Sequence, residues 1–306
     1  MLTPEELAER KTGLGGSDAL AYCGQDRRLT MLELFRRKTG LAAESTDPNP
    51  RAEWGTRLEP VVREWLAEEL NCKIIQPTQM YRSKKLPMML GHIDGVIHAD
   101  LTGSGLTEGV EIKTCDKYMA QEFGDVGTDQ VPVRYALQCT HYMIVTGWKR
   151  FHLAALVGGN DARHYIIDFD PELGQMLVAR ARAFWEYVET NTPPNPTTLE
   201  DAKKRWPVAL MDQAIMATEG IDFAFNKLKE FRDEEQDAKK RADDLEVSIK
   251  AFMGEAALLT NNKHEALATW RQQSRERFDE GKFTREHPQL ACQYRTQSTF
   301  RVFRMR

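Results

Sequence analysis

A cluster of three prolines in the run TPPNPTT (Thr192–Thr198) does most to limit what this chain can fold into. Proline has a fixed φ and no backbone N–H, so neither a helix nor a central strand continues through such a run. The 306 residues are therefore read as residues 1–191, long enough to bury a core unaided, a proline-containing linker over 192–207, and an extension over 208–306. Upstream of the prolines, helix-like and strand-like stretches alternate. That alternation makes the fold class mixed α/β.

Thr3-Pro4-Glu5-Glu6 reads as a capping box opening the first helix, and Thr30-Met31-Leu32-Glu33 opens a second that runs through Arg37. A glycine turn, Gly13–Asp18, lies between them. Thr56-Arg57-Leu58-Glu59 starts a third helix, in which Leu58, Val61, Val62, Trp65, Leu66 and Leu70 recur at helical spacing. Trp54, Trp65 and Trp148 read as core. Strand patterns at 73–75, 89–98 and 110–114 follow, the last two forming an antiparallel hairpin. A helix over 133–145, strands at 151–157 and 164–169, and a helix over 171–188 complete this part.

Beyond the prolines, roughly 208–253 is rich in Lys, Glu, Asp and Ala, with Phe225, Leu228, Leu245, Ile249 and Phe252 at helical intervals. A long, solvated helix is expected. From Lys263 onward ten basic residues face five acidic ones, and aromatic and Arg positions alternate as in strands in ATWRQQSRERFD and STFRVFRMR. Such a ribbon has three readings: a contact for DNA phosphates, a solubilising or intersubunit hairpin docked by Trp270, Phe278, Phe300 and Phe303, or, with the long helix, a surface for a protein partner.

A net charge of −4 advertises no polyanionic partner, so any nucleic-acid surface is a local patch. The five cysteines form no C-x-x-C pair, which argues against a zinc or redox motif and fits a reducing, cytoplasmic setting. The opening MLTPEELAERK lacks the apolar stretch of a signal peptide, and no run is long enough for a membrane span.

The segments GHIDGVIHAD and VEIKT place Asp94 on one strand and Glu111 and Lys113 on the next. Strand side chains alternate, so Glu111 and Lys113 share one face while Val110 and Ile112 share the other. Carboxylates fixed on a sheet are what a hard divalent cation requires. Asp94, Glu111 and the Ile112 backbone carbonyl could hold one or two Mg²⁺ ions against a phosphodiester, with Lys113 orienting the attacking water. An acid-x-Lys triplet alone is weak, since the chain repeats it at Glu9/Lys11, Asp201/Lys203, Asp237/Lys239 and Glu280/Lys282. Only Glu111/Lys113 sits on an apolar strand with a second acid on the preceding one.

Four ordered blocks resemble the phage lambda exonuclease and YqaJ-like viral recombinase group of the PD-(D/E)XK nuclease superfamily. They are Arg10 with Gly13-Leu14-Gly15-Gly16-Ser17-Asp18; Trp54-Gly55-Thr56-Arg57-Leu58-Glu59-Pro60; Asp94-Gly95 with Glu111-Ile112-Lys113; and Tyr135, Gln138, Tyr142 and Met143. The resemblance implies an α/β restriction-endonuclease-like core, a mixed central sheet flanked by helices, with a C-terminal long helix and β-hairpin extension. It implies an Mg²⁺-dependent 5′→3′ exonuclease, with Mn²⁺ substituting, that degrades one strand of linear double-stranded DNA to 5′-mononucleotides. The 3′ tail left behind would serve a single-strand-annealing partner protein, and the enzyme would be a homotrimeric ring encoded by a phage or prophage. Carried over by residue, Asp94 and Glu111 bind metal with Glu59 near a second ion, and Lys113 assists the water. Gln138 orients around the catalytic lysine and the phosphate, with Tyr135, a DNA- and phosphate-binding residue, one turn earlier on the same helix face. Arg10 and Ser17 hold a DNA phosphate, the terminal 5′-phosphate, helped by the backbone N–H groups of the glycine turn and the helix N-terminus near Ser17.

Plainer readings stand beside these. Glu111 and Lys113 could be a solvated cross-strand pair, Ser17 an N-cap, Glu59 the acceptor of a capping box with Thr56, Gln138 a buried amide satisfied by backbone, and Tyr135 a core aromatic. His92, His98 and His141 read as structural. Two rival functions use the same residues: a structure-specific endonuclease, which needs no end, and a non-catalytic DNA-end binding protein.

Overall fold

A computed structural model describes residues 4–42, 49–102 and 105–305. The chain divides into two compact units, Met1–Pro207 and Val208–Arg306. In chain order the first contains α1 (Pro4–Lys11), α2 (Ala19–Tyr22), α3 (Met31–Lys38), α4 (Pro50–Glu69), β1 (Tyr81–Arg82), β2 (Leu90–Gly91), β3 (Gly95–Ile97), β4 (Glu108–Cys115), α5 (Val133–Thr146), β5 (Arg150–Val157), β6 (Asp161–Asp168), α6 (Pro171–Glu189) and α7 (Leu199–Arg205). The expected cap residue of α1, Thr3, lies outside the described residues.

Four strands form a mixed sheet in the order β3-β4-β5-β6, with β4 and β5 parallel and both outer pairs antiparallel. The parallel pairing sets Glu111 opposite Leu153 and Lys113 opposite Ala155. Alternation along β4 then sorts its side chains as the sequence predicts. Val110 and Ile112 pack with Val62 and Leu66 of α4, and Glu111 faces Gln138 on α5. On the α5 side of the sheet, Phe151 and Leu153 pack against Tyr135, Tyr142 and Met143. A further layer joins Leu137 of α5 to Phe35 of α3 and to Leu177 and Phe184 of α6.

Several boundaries differ from the sequence reading. The third helix begins at Pro50, not Thr56, because Asn49 caps it through the Ala52 N–H and Pro50 suits the first helical position. Thr56 is interior, and its hydroxyl donates to the Ala52 carbonyl at 3.1 Å. Trp54 is exposed and is not core, since it precedes the part of α4 that covers the sheet. Trp65 and Trp148 are half-buried against it. The segment read as a linker holds α7, whose Asp201 is buried and accepts from the Thr30 hydroxyl at 2.8 Å.

In the second unit, α8 (Glu219–Met253) is the long solvated helix, capped by Thr218. The hairpin is β7 (Leu258–Thr260) with β8 (Ala266–Thr269), turned by Asn261, whose Oδ1 accepts from the N–H groups of Lys263 and Glu265. Beyond Thr269, the end of β8, the described residues of the two Arg/aromatic stretches do not form strands. Residues 270–279 are irregular, α9 (Glu280–Glu286) and α10 (Pro288–Gln293) follow, and no strand occurs among 294–305. Phe300 and Phe303 stay exposed, and Phe278, also exposed, meets the Phe283 ring of α9 at 5.1 Å, so alternation found no apolar surface within this unit to lie against.

Candidate active site

Strand β4 delivers Glu111 and Lys113, while Asp94 stands one residue before β3 and not within it. The Asp94 Oδ2 accepts the Ile112 N–H at 2.8 Å, so its side chain prolongs the β3–β4 ladder by one bond and is fixed beside Glu111. Glu111 is 1% exposed. Its Oε1 accepts from Gln138 Nε2 at 2.6 Å and pairs with the Lys113 ammonium; its Oε2 is buried without a hydrogen-bond partner. Gln138 also donates to the Tyr142 hydroxyl at 3.0 Å, so the amide is committed to side chains and not to backbone. Tyr135 is a packed aromatic whose ring lies 5.7 Å from the Lys113 ammonium. The core reading of Tyr135 therefore holds.

Glu59 reaches the same cavity from α4. Because α4 starts at Pro50, Thr56 caps nothing and the capping-box reading of Glu59 fails. Arg63 instead holds Glu59 Oε1 at 2.6 Å, the Asp94 carbonyl at 2.9 Å and Gln76 Oε1 at 2.9 Å. Arg63 is a site residue that the sequence reading missed, although its i,i+4 spacing from Glu59 signals the pair.

Electrostatics reflect three acids in one recess. Burial, then the Asp94 charge, push the Glu111 carboxyl up to about 8 against the opposing pull of Lys113. Burial and Asp94 also raise Glu59. Burial works against the Lys113 ammonium, but Glu111 and Asp94 outweigh it and hold the lysine charged, above its ordinary range. Among the described residues no three His, Cys, Asp or Glu side chains converge tightly enough to cage an ion by themselves. Mg²⁺ does not require that, since it keeps several waters and uses one or two carboxylates. The unpartnered Glu111 oxygen beside Asp94, with Ile112 in the same wall, fits such an ion.

The glycine turn closes the other end of this cavity of about 590 Å³. A Cβ on Gly16 would stand 2.6 Å from the Tyr142 ring, and one on Gly91 likewise 2.6 Å from it, so these glycines let the backbone close onto Tyr142. Ser17 is not an N-cap, for Gly15 and Asp18 hold the cap positions. Its hydroxyl accepts from Arg10 Nη2 at 2.9 Å. Asp18 is buried, accepting from the Gly15 N–H at 2.9 Å and the Lys38 ammonium at 2.8 Å. Lys38 also donates to the Arg10 carbonyl at 2.9 Å, tying the turn to α1. The helix after Ser17 is a single turn, Ala19–Tyr22, too short for a useful macrodipole, so an anion there meets Arg10, Ser17 and backbone N–H groups.

His141 is structural: it is buried between the Tyr22 hydroxyl and the Leu90 carbonyl, and burial lowers its imidazole to about 4. His92 lines the cavity.

Residues 7–149 match the model of the YqaJ-like viral recombinase domain. This part of the chain is therefore similar to that domain. Each sequence-predicted site residue, from Arg10 to Gln138, lies inside it. Over 310 aligned residues, covering 99% of this chain and 94% of the other, the protein is 26% identical to the uncharacterized protein YqaJ of Bacillus subtilis. The crystal structure of an alkaline exonuclease from Laribacter hongkongensis superposes with a TM-score of 0.50 at 18% identity, covering 62% of this chain and 94% of that one. The chain thus shares the fold of that enzyme over the part that superposes. No helix among the described residues is long and apolar enough to cross a membrane.

Proposed function

We propose that the chain is a metal-dependent deoxyribonuclease that degrades linear duplex DNA in the 5′→3′ direction, releasing 5′-mononucleotides. The observation that carries this function is the convergence of Asp94, Glu111 and Lys113 on one cavity, with a buried Glu111 oxygen left without a partner. Asp94, Glu111 and the Ile112 carbonyl would hold Mg²⁺, with Glu59 beside them, and Mn²⁺ would serve as another oxygen-seeking ion. Bound there, the ion would polarise the phosphoryl oxygen and acidify a water.

The chain's own groups do the rest. Lys113, kept charged by its two acids, donates to the attacking water and to the oxygens on which charge develops. Gln138 fixes the rotamer of Glu111, and Tyr135 backs the lysine. The Arg10 guanidinium and the Ser17 hydroxyl, bonded to each other beside a turn that Lys38 and Asp18 tie to α1, give a terminal 5′-phosphate charge-assisted hydrogen bonds. The 3′ strand left behind would pass to a single-strand-annealing protein, and a homotrimeric ring would keep the enzyme on its track. A monomer in light scattering at working concentrations overturns the ring.

The deciding experiment incubates linear duplexes, with and without a 5′-phosphate, and a covalently closed plasmid, each in Mg²⁺ or EDTA. Acid-soluble nucleotide from the phosphorylated linear DNA in Mg²⁺ alone is the expected result. Nicking of the closed plasmid would instead mark an endonuclease, and binding without release a DNA-end binding protein.

A further inference from the structure

Trp54 and Tyr118 are aromatic side chains the hydrolytic residues do not use, and both face solvent, at 60% and 85% exposure. Trp54 continues the α4 stripe of Leu58, Val62 and Leu66 by i,i+4 steps, yet Val62 and Leu66 are buried on the sheet and Trp54 is not. The two aromatics line a second cavity of about 660 Å³. It shares Arg51 and Thr114 with the carboxylate cavity, so the two recesses are neighbours with a common wall. Arg10 and Ser17 line only the first cavity, Trp54 and Tyr118 only the second.

The chemistry of this second recess is that of a nucleotide site. Arg28, Arg51 and Arg134 line it with Asp116 and Glu122, leaving the wall one charge positive. Arg51 reaches Asp116 only at 3.7 Å, a loose pair that a phosphate can compete for. Flat aromatic faces beside guanidinium groups bind unpaired bases by stacking while neighbouring phosphates meet the charge. A paired base inside a duplex presents only its edges, so the recess suits a base already out of the helix.

We propose that Trp54, with Tyr118, is a stacking shelf for an unpaired nucleobase of DNA, next to the phosphodiester site and on the side away from Arg10. The shelf deepens the nuclease assignment and rests on it for its location, but base stacking needs no hydrolysis.

A binding cycle in EDTA tests it on the full chain. Fluorescein-labelled oligodeoxythymidylate and its abasic analogue, with the same sugar-phosphate backbone, are titrated with wild type, Trp54→Ala and Trp54→Phe by fluorescence anisotropy. Trp54→Ala is expected to weaken oligodeoxythymidylate binding about tenfold while leaving the abasic analogue unchanged. Trp54→Phe is expected to keep most of the affinity, which also shows that the site folds. Equal weakening on both probes, no weakening on either, or no binding of oligodeoxythymidylate by wild type overturns the shelf. Failure of Mg²⁺-dependent cleavage in the separate degradation assay would sink the nuclease assignment and leave this cycle readable.

Discussion

Replacing Glu111 by Gln probes the site without needing catalysis. The carboxyl is 1% exposed and is raised from 4.5 to about 8 by burial and by Asp94. A proton therefore binds Glu111 more tightly in the folded chain than in the unfolded one. Its contribution to stability is fully present below pH 4.5 and is lost as pH climbs through about 8. The shift of 8 − 4.5 = 3.5 pH units, at about 1.4 kcal/mol per unit, sets the full loss near 5 kcal/mol, on the order of 10–20 °C in melting temperature. The amide in Glu111→Gln carries no proton to lose, so thermal melts in EDTA are expected to coincide near pH 5 and to separate by pH 9, the variant being the more stable. Adding Mg²⁺ is expected to restore the wild type at pH 9 and to leave Glu111→Gln unmoved, because only an ionised Glu111 gains a cation partner. A melting difference that is flat from pH 5 to 9 would refute the buried-acid account; a wild type indifferent to Mg²⁺ would refute metal binding here.

Lys113→Ala is expected to lower the cleavage rate by at least about 100-fold while DNA affinity stays near wild type, since the ammonium serves developing charge more than grip; parallel loss of binding in anisotropy would contradict that role. Arg10→Ala is expected to erase a preference of about tenfold or more for 5′-phosphorylated over 5′-hydroxyl ends, and equal loss on both ends would show that it reads no end. Gly16→Ala brings a methyl to 2.6 Å from the Tyr142 ring and is expected to cost about 1–3 kcal/mol in denaturant melts. In a Tyr142→Ala background the same change is expected to cost little, and an unchanged penalty there would place the strain elsewhere.

Strand alternation made the central pair legible. A period of two leaves Glu111 and Lys113 only one face to share, and an apolar strand must bury its other face, so VEIKT fixed both the acid and the lysine. Glu59 was harder, because Thr56-x-x-Glu59 also spells a capping box, and only the Asn49-Pro50 start of α4 decides between cap and site. The Arg/aromatic alternation in the tail misled for a related reason. Alternation states which side chains share a face but not whether any surface exists to cover that face, and the exposed Phe300 and Phe303 show that within their own unit none does. Trp54 failed the same way in a helix, its spacing correct and its burial wrong.

Those failures and the cost at Glu111 have one physical origin. Local rules predict well wherever a residue's best local state is also its best state in the fold, and they fail where the fold holds a group in a state it would not choose alone. A buried acid with one orphaned oxygen, a backbone turn that only glycine lets close on Tyr142, and a tryptophan left in solvent are three such states. All three line one pair of adjoining cavities in a unit whose remaining core packs conventionally. Stability alone gives no reason to gather them there. A ligand that brings a cation to Glu111, a phosphate to Arg10 and a base to Trp54 would relieve the first and third together, which is what a DNA strand with its metal ion offers.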